Sequence, residues 1–127
     1  MAHAPNGNLD VHFDGEALSR AAITRLEKVV REIELRSGID RSTLQGLATH
    51  QPNPRLVTLL AKHCGLPEDK FPVVAKSFGN LGSSTCGVAL DAILQSVQSH
   101  PAEHWGPIFT ASLGPGLLFG GGWLVPA

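Results

Sequence analysis

Cysteine is scarce in this chain: Cys64 and Cys86 are the only two in 127 residues. That excludes a disulfide-stapled scaffold, and a pair of reduced thiols suits a cytoplasmic protein. An excess of one charge is lacking as well. Lys and Arg number 10 against 11 Asp and Glu, a formal charge of −1. A general electrostatic grip on nucleic acid or on an anionic membrane needs a basic excess, so neither is expected as a partner. The stretch from Met1 to Asp10 has no apolar run of the kind a signal peptide carries. Residues 1–8 read as a polar leader and 9–127 as one domain. No residue after Glu103 bears a formal charge when His104 is neutral, a stretch long enough to cross a bilayer. Pro107, Pro115, Pro126 and the run Gly120-Gly121-Gly122 make poor helix, so two strands joined by a glycine-rich turn are expected there instead. What the chain does have is 43% hydrophobic residues against 17% charged, enough at this length for one core.

Periodicity divides the domain. Leu9 to Phe13 alternates apolar and polar, a strand pattern, and Asp14-Gly15 offers a helix cap. Leu18, Ala22, Leu26, Val29, Val30 and Ile33 then recur at threes and fours, the stripe of a core-facing helix that Gly38 stops. Glu27/Arg31, Lys28/Glu32 and Glu32/Arg36 fall at i,i+4 on the opposite, solvated face. Leu44 to Thr49 is a short apolar strand. Asn53-Pro54 opens a helix, a side-chain cap followed by a residue with φ preset, and Cys64-Gly65 closes it. Phe71 to Lys76 predicts another strand. Ser83-Ser84-Thr85 opens a helix with Cys86, Leu90, Ile93, Leu94 and Val97 on one face, and Pro101 forbids its continuation. Ile108 to Leu113 and Leu117 to Val125 are the last strands, hinged at Gly114-Pro115-Gly116. The order βαβαβαββ argues for an α/β layer fold, a mixed, mainly parallel sheet covered by helices.

Ligands of such sheets bind beyond the carboxyl ends of the strands. The loops that fall there are His50-Gln51-Pro52-Asn53, Phe78-Gly79-Asn80 and Leu113-Gly114-Pro115-Gly116. They offer an imidazole and carboxamides but no carboxylate, a set suited to holding a carbonyl oxygen or enolate rather than to acidic general-base work. The helix opening at Asn53 directs its positive end toward His50, so the ring is expected to serve as a neutral hydrogen-bond donor.

These same residues carry a resemblance. His50-Gln51-Pro52-Asn53-Pro54-Arg55, then Phe78-Gly79-Asn80, then Leu113-Gly114-Pro115-Gly116-Leu117, in that order and with matching helices between, resemble the C-terminal half of the thiolase-fold condensing enzymes. The branch is the 3-oxoacyl-[acyl-carrier-protein] synthase III family, with a chalcone-synthase-like Gly-Pro-Gly loop. Phe13-Asp14-Gly15-Glu16 resembles the segment that begins that half. The resemblance implies that His50 and Asn80 are two members of a Cys-His-Asn triad. They would bind the extender thioester carbonyl and stabilise the enolate formed on decarboxylation. It further implies that Arg55 stands at the tunnel mouth where acyl carrier protein or coenzyme A docks, and Asn53 near the pantetheine arm. Phe78, Leu113, Gly114 and Gly116 would shape the substrate site. Acyl thioesters would be substrates, with no cofactor or metal, in fatty acid or polyketide biosynthesis, and the completed unit would be a dimer.

Departures from the family pattern matter too. The family nucleophile is a cysteine of the N-terminal half, and neither Cys64 nor Cys86 has its context. The nucleophile is therefore expected on an N-terminal half or partner chain, and the isolated chain is expected not to condense acyl groups. Leu113 stands where phenylalanine is common, Pro115 has no N–H to give an oxyanion, and Leu81-Gly82 replaces a more polar pair. His100 and His104 are four apart, but Pro101 interrupts them and no further zinc ligand is evident. Acyl transfer to an alcohol or amine on the same scaffold is one alternative. Another is a helix-turn-helix DNA-binding module, from the rhythm of Gly38 to Leu44 followed by Asn53 to Leu60.

Overall fold

The computed structural model describes residues 2–3, 9–10, 14–114 and 118–127. Two short strands, β1 (Ala2–His3) and β2 (Leu9–Asp10), pair antiparallel, so part of the polar leader is paired backbone. The rest of the strand expected over 9–13 lies outside the described residues. Helix α1 (Gly15–Ser37) starts where Asp14 Oδ1 accepts the Ala17 N–H at 3.0 Å and stops at Gly38, in the left-handed region at φ 71°. Its buried stripe is Ala22, Ile23, Leu26, Val29, Val30 and Ile33, while Leu18, one turn earlier, is exposed.

A single 3-10 turn at Arg41–Thr43 leads into β3 (Gly46–Thr49), every residue of which is buried. That overturns the helix-turn-helix alternative. The segment needed as its first helix is one turn followed by a strand in the middle of the core. Helix α2 (Pro54–Cys64) begins as expected, with Asn53 Oδ1 accepting the Leu56 N–H at 3.0 Å, and ends at Gly65. Between them, Glu34 and Arg41 tie α1 to α2. Both Arg41 Nε and its backbone N–H donate to the Glu34 carboxylate at 2.8 Å, and Nη1 donates to the Cys64 carbonyl at 2.9 Å.

The strand expected over Phe71 to Lys76 is not formed. Pro72 has no N–H for a ladder, and the neighbouring backbone groups bond to a side chain instead. Gln51, fully buried, donates from Nε2 to the Pro72 carbonyl at 2.6 Å and accepts the Val74 and Ala75 N–H groups at 3.0 and 3.2 Å. The chain then turns into the short helix α3 (Ala75–Phe78) and on to α4 (Ser84–Gln98). The buried face of α4 is Thr85, Ala89, Ile93 and Val97; Cys86 and Leu90 are half-buried beside it, and Leu94 points outward.

Strands β4 (Ile108–Leu113) and β5 (Phe119–Leu124) complete a sheet of order β3-β4-β5. β3 and β4 are parallel, with Thr49 opposite Ala111; β4 and β5 are antiparallel, with Leu113 opposite Phe119. Residues alternate between the two faces of the sheet. Leu47, Phe109 and Ala111 join the core beneath α1 and α2, while Ala48 and Ile108 join a smaller core beneath α4. The glycine run serves the first of these. A Cβ on Gly121 would stand 2.3 Å from the Thr110 carbonyl and 2.6 Å from Val29 Cγ1. Only a residue without a side chain lets β5 lie that close to α1.

Candidate active site

Because β3 and β4 are parallel, their carboxyl ends lie at one edge of the sheet. His50 is the first residue beyond β3. Its N–H donates to the Ala111 carbonyl at 3.3 Å and so continues the ladder by one step. Its half-buried ring turns toward the loop before α4, with Nδ1 3.0 Å from the Gly82 carbonyl. A carbonyl can only accept, so the ring proton of this contact sits on Nδ1. A neutral His50 then presents Nε2 as an acceptor. This differs from the neutral donor expected from the adjoining helix end: donation from Nε2 requires a ring that carries both protons.

Asn80 arrives at the same residue from the other side. Its Oδ1 accepts the Gly82 N–H at 2.9 Å, an Asx turn closed on its own loop. Its Nδ2 has no hydrogen-bond partner among the described residues and is the free donor of the pair. Gly82 has φ +61°, and its carbonyl also accepts from the Thr85 N–H at 3.2 Å and the Thr85 hydroxyl at 2.9 Å. The Thr85 hydroxyl oxygen accepts the Leu81 N–H at 3.2 Å. Thr85 is fully buried, so the loop carrying Asn80 is pinned to the start of α4 from within.

The other expected site residues divide. Phe78, 59% exposed, ends α3 two residues before Asn80. Leu113 ends β4 at the same sheet edge as His50 and packs partly against the larger core. Gly114 is exposed, and its N–H donates to the Leu118 carbonyl at 2.7 Å, which leaves that N–H engaged in the hairpin. Gly116 lies outside the described residues. Asn53 spends its side-chain oxygen on capping α2, and Arg55 is exposed in the first turn of that helix, with no ion pair among the described residues. The structure thus joins His50 and Asn80 through a shared residue and leaves Asn53 and Arg55 at the adjoining helix start.

Neither thiol is at this site's surface as a ready nucleophile. Burial pushes the Cys64 thiol up to about 11, at the far end of α2. Cys86 is half-buried with Sγ 3.6 Å from the Ala48 carbonyl, and burial raises its thiol as well. Gln51, Gly82 and Thr85 stand in the motifs and turns of the sequence but carry no sign there of a part in holding the site together. The turn-rich run around Asn80 signals Gly82 as a turn glycine; nothing local signals that Gln51 staples a segment some 20 residues on, as its 21-position bond to Pro72 shows.

The model of the 3-oxoacyl-[acyl-carrier-protein (ACP)] synthase III C-terminal family matches residues 35–125. The chain belongs to that family. The match spans His50, Asn80 and both strands of the closing hairpin. Beta-ketoacyl-[acyl-carrier-protein] synthase III of Coxiella burnetii is 29% identical over 110 residues, 87% of this chain and 34% of the relative. Among solved structures, 3-oxoacyl-(acyl carrier protein) synthase III of Pseudomonas aeruginosa PAO1 superposes with a TM-score of 0.78 at 25% identity, over 98% of this chain and 38% of that one. The priming β-ketosynthase of the R1128 polyketide pathway gives 0.77 at 28%, over 91% and 35%. This synthase III C-terminal chain therefore spans about a third of the length of the curated relatives it matches, and its α/β architecture is that of the thiolase-fold synthases. Among the described residues, no helix is long and apolar enough to cross a membrane.

Proposed function

We propose that this chain supplies the His50 and Asn80 part of a condensing site for acyl thioesters, with the acylated cysteine contributed by sequence outside it. The observation that carries the reading is the convergence of His50 Nδ1 and Asn80 Oδ1 on one residue, Gly82, at the carboxyl edge of the sheet. In the decarboxylative reaction, the oxygen of the extender thioester becomes an enolate. Asn80 Nδ2 donates to it, and His50 donates from Nε2 when the ring holds both protons. Two such donors aimed at one oxygen stabilise charge as it develops. Arg55 and Asn53, at the start of α2, receive the phosphopantetheine of acyl carrier protein or of coenzyme A. Phe78 and Leu113 border the substrate, and Gly114 and Gly116 belong to the loop that approaches the nucleophile and shapes the acyl oxyanion hole. The completed unit works as a dimer in the cytoplasm and needs no metal or cofactor. Residues 9–127 act as its C-terminal domain.

A second reading has a specific observation in its favour. With Nδ1 committed to the Gly82 carbonyl, the neutral ring offers Nε2 as a base, which suits removal of a proton from an alcohol or amine that attacks an acyl-cysteine. The site would then transfer acyl groups to oxygen or nitrogen.

One experiment addresses both. The chain is mixed with a cysteine-bearing N-terminal half of a synthase III, and products are followed with and without a malonyl thioester. The chain alone should give none. In the mixture, His50→Ala and Asn80→Ala should each lower turnover by about 10²–10³-fold, the usual cost of one donor to a developing oxyanion. Activity untouched by both substitutions would remove the site assignment. Product formed only with a malonyl donor selects condensation; product formed only with an alcohol or amine acceptor selects acyl transfer.

A further inference from the structure

We propose that Gly82 is the positioning residue of this site: its N–H orients Asn80 while its C=O fixes the Nδ1–H tautomer of His50. The catalytic consequence rests on the role given above to His50 and Asn80; the tautomer of the ring does not.

Two side chains from distant segments depend on the two polar groups of one residue. The His50 contact spans 32 positions and the Asn80 contact only two. Rotation about the Gly82 backbone therefore moves both partners at once. That backbone is held at φ +61°, where glycine is at ease, asparagine is tolerated and alanine is disfavoured. Space is not the constraint, because a Cβ on Gly82 would meet nothing within 4 Å. The carbonyl is fixed in turn by the buried Thr85, whose hydroxyl and N–H donate to it at 2.9 and 3.2 Å. An alanine that relaxes to negative φ swings this carbonyl off the imidazole. His50 is then free to place its proton on either nitrogen, and Asn80 loses the N–H that orients its amide.

Gly65 provides an internal control. It has nearly the same backbone, φ +65°, and an equally open Cβ direction, but it caps the far end of α2. Gly65→Ala imposes the same kind of strain without touching the site.

The test is the long-range ¹H–¹⁵N spectrum of the histidine rings of the whole chain at a pH where His50 is neutral, with its signal assigned by loss in His50→Gln. In the wild type, Nε2 should resonate as the unprotonated nitrogen. Gly82→Asn should keep that pattern, Gly82→Ala should shift it toward a mixture of tautomers, and Gly65→Ala should leave it unchanged. Thr85→Val, which removes the hydroxyl behind the carbonyl while keeping the side-chain shape, should move it in the same direction as Gly82→Ala and covers the case in which that variant fails to fold. A wild-type ring mainly protonated on Nε2, or a Gly82→Ala and Thr85→Val pair indistinguishable from wild type, overturns the proposal. So does a Gly65→Ala variant that shifts His50 as much. In the completed enzyme, Gly82→Ala should lower kcat by about 10²-fold with KM little changed, because the donor amide of Asn80 loses the N–H that orients it, and Gly82→Asn should restore most of it. A wild-type mixture with no activity defeats the condensing and acyl-transfer readings and leaves the tautomer result standing; the reverse pattern defeats the positioning alone.

Discussion

A thiol attacks as its thiolate, so the ionised fraction at working pH limits how fast it can be acylated or alkylated. For Cys64, burial moves the thiol from an ordinary 9.0 to about 11, which makes the thiolate about a hundredfold rarer at pH 8. Cys86 moves in the same direction and packs behind β3 rather than at a strand-to-helix turn. The expected outcome is that iodoacetamide at pH 8 labels the folded chain at Cys64 about a hundredfold more slowly than a model cysteine peptide, with Cys86 also slower than the peptide. Labelling in denaturant should erase both differences. A fast-reacting thiol in the folded state would mean that burial does not suppress the thiolate and that the chain carries a nucleophile of its own. At the same scale, sequence made His50 visible as the residue just past the apolar run of β3, whereas Asn80 followed from a strand over 71–76 that does not form and from the family resemblance. Sequence could not show that Gly114 gives its N–H to Leu118, since that bond depends on how the hairpin closes.

Between elements, a partly buried ion pair joins Glu34 at the end of α1 to Arg41. The two side chains are 23% and 21% exposed, and Arg41 also reaches the Cys64 carbonyl at the end of α2. The Arg41 hydrogen bond holds the Glu34 carboxyl below its ordinary 4.5. A depressed folded-state value means that the pair's stabilisation is complete above pH 4.5 and is lost as pH falls below it. Glu34→Gln should therefore cost about 1–2 kcal/mol at pH 7, and the gap to wild type should narrow in urea melts as pH is lowered toward 3. A gap that is constant with pH would mean the charge is not what matters. This pair lies seven positions apart, across a helix end, so the i,i+4 spacing that revealed Glu27/Arg31 and Glu32/Arg36 passes over it. The same distinction explains which elements were legible. Asn53-Pro54 and Gly65 fix both ends of α2 through local caps, and Ile108–Leu113 reads as a strand because its apolar run is bounded by Pro107 and Gly114. The failed strand at 71–76 has an equally apolar run, but its backbone partner is the side chain of Gln51, which no local pattern reveals.

At the scale of the whole molecule, the sheet divides the interior yet belongs to both halves of it. Phe109, fully buried, faces α1 and α2; its neighbour Ile108 faces α4 and meets the core that holds Ile93. A strand cannot lose its packing on one face and keep its register on the other, because adjacent residues of one backbone serve the two cores. The cores should therefore unfold together. Two tryptophans report on opposite sides: Trp105, whose Nε1 donates to the His100 carbonyl beyond α4 at 2.9 Å, and Trp123, paired with Phe109 across β4 and β5. Single-tryptophan variants, Trp123→Phe and Trp105→Phe, should show coincident urea transitions, and both should coincide with the loss of far-ultraviolet ellipticity. Phe109→Ala should cost about 3–5 kcal/mol and Ile93→Ala about 2–5 kcal/mol. With a slope of about 1–3 kcal/mol per molar urea, each would move both tryptophan transitions down by about 1–5 M together. If Ile93→Ala lowered the Trp105 transition and left that of Trp123 in place, the α4 layer would be a separate folding unit. The loop that joins Thr85 to Gly82 would then open independently of the strand that carries His50.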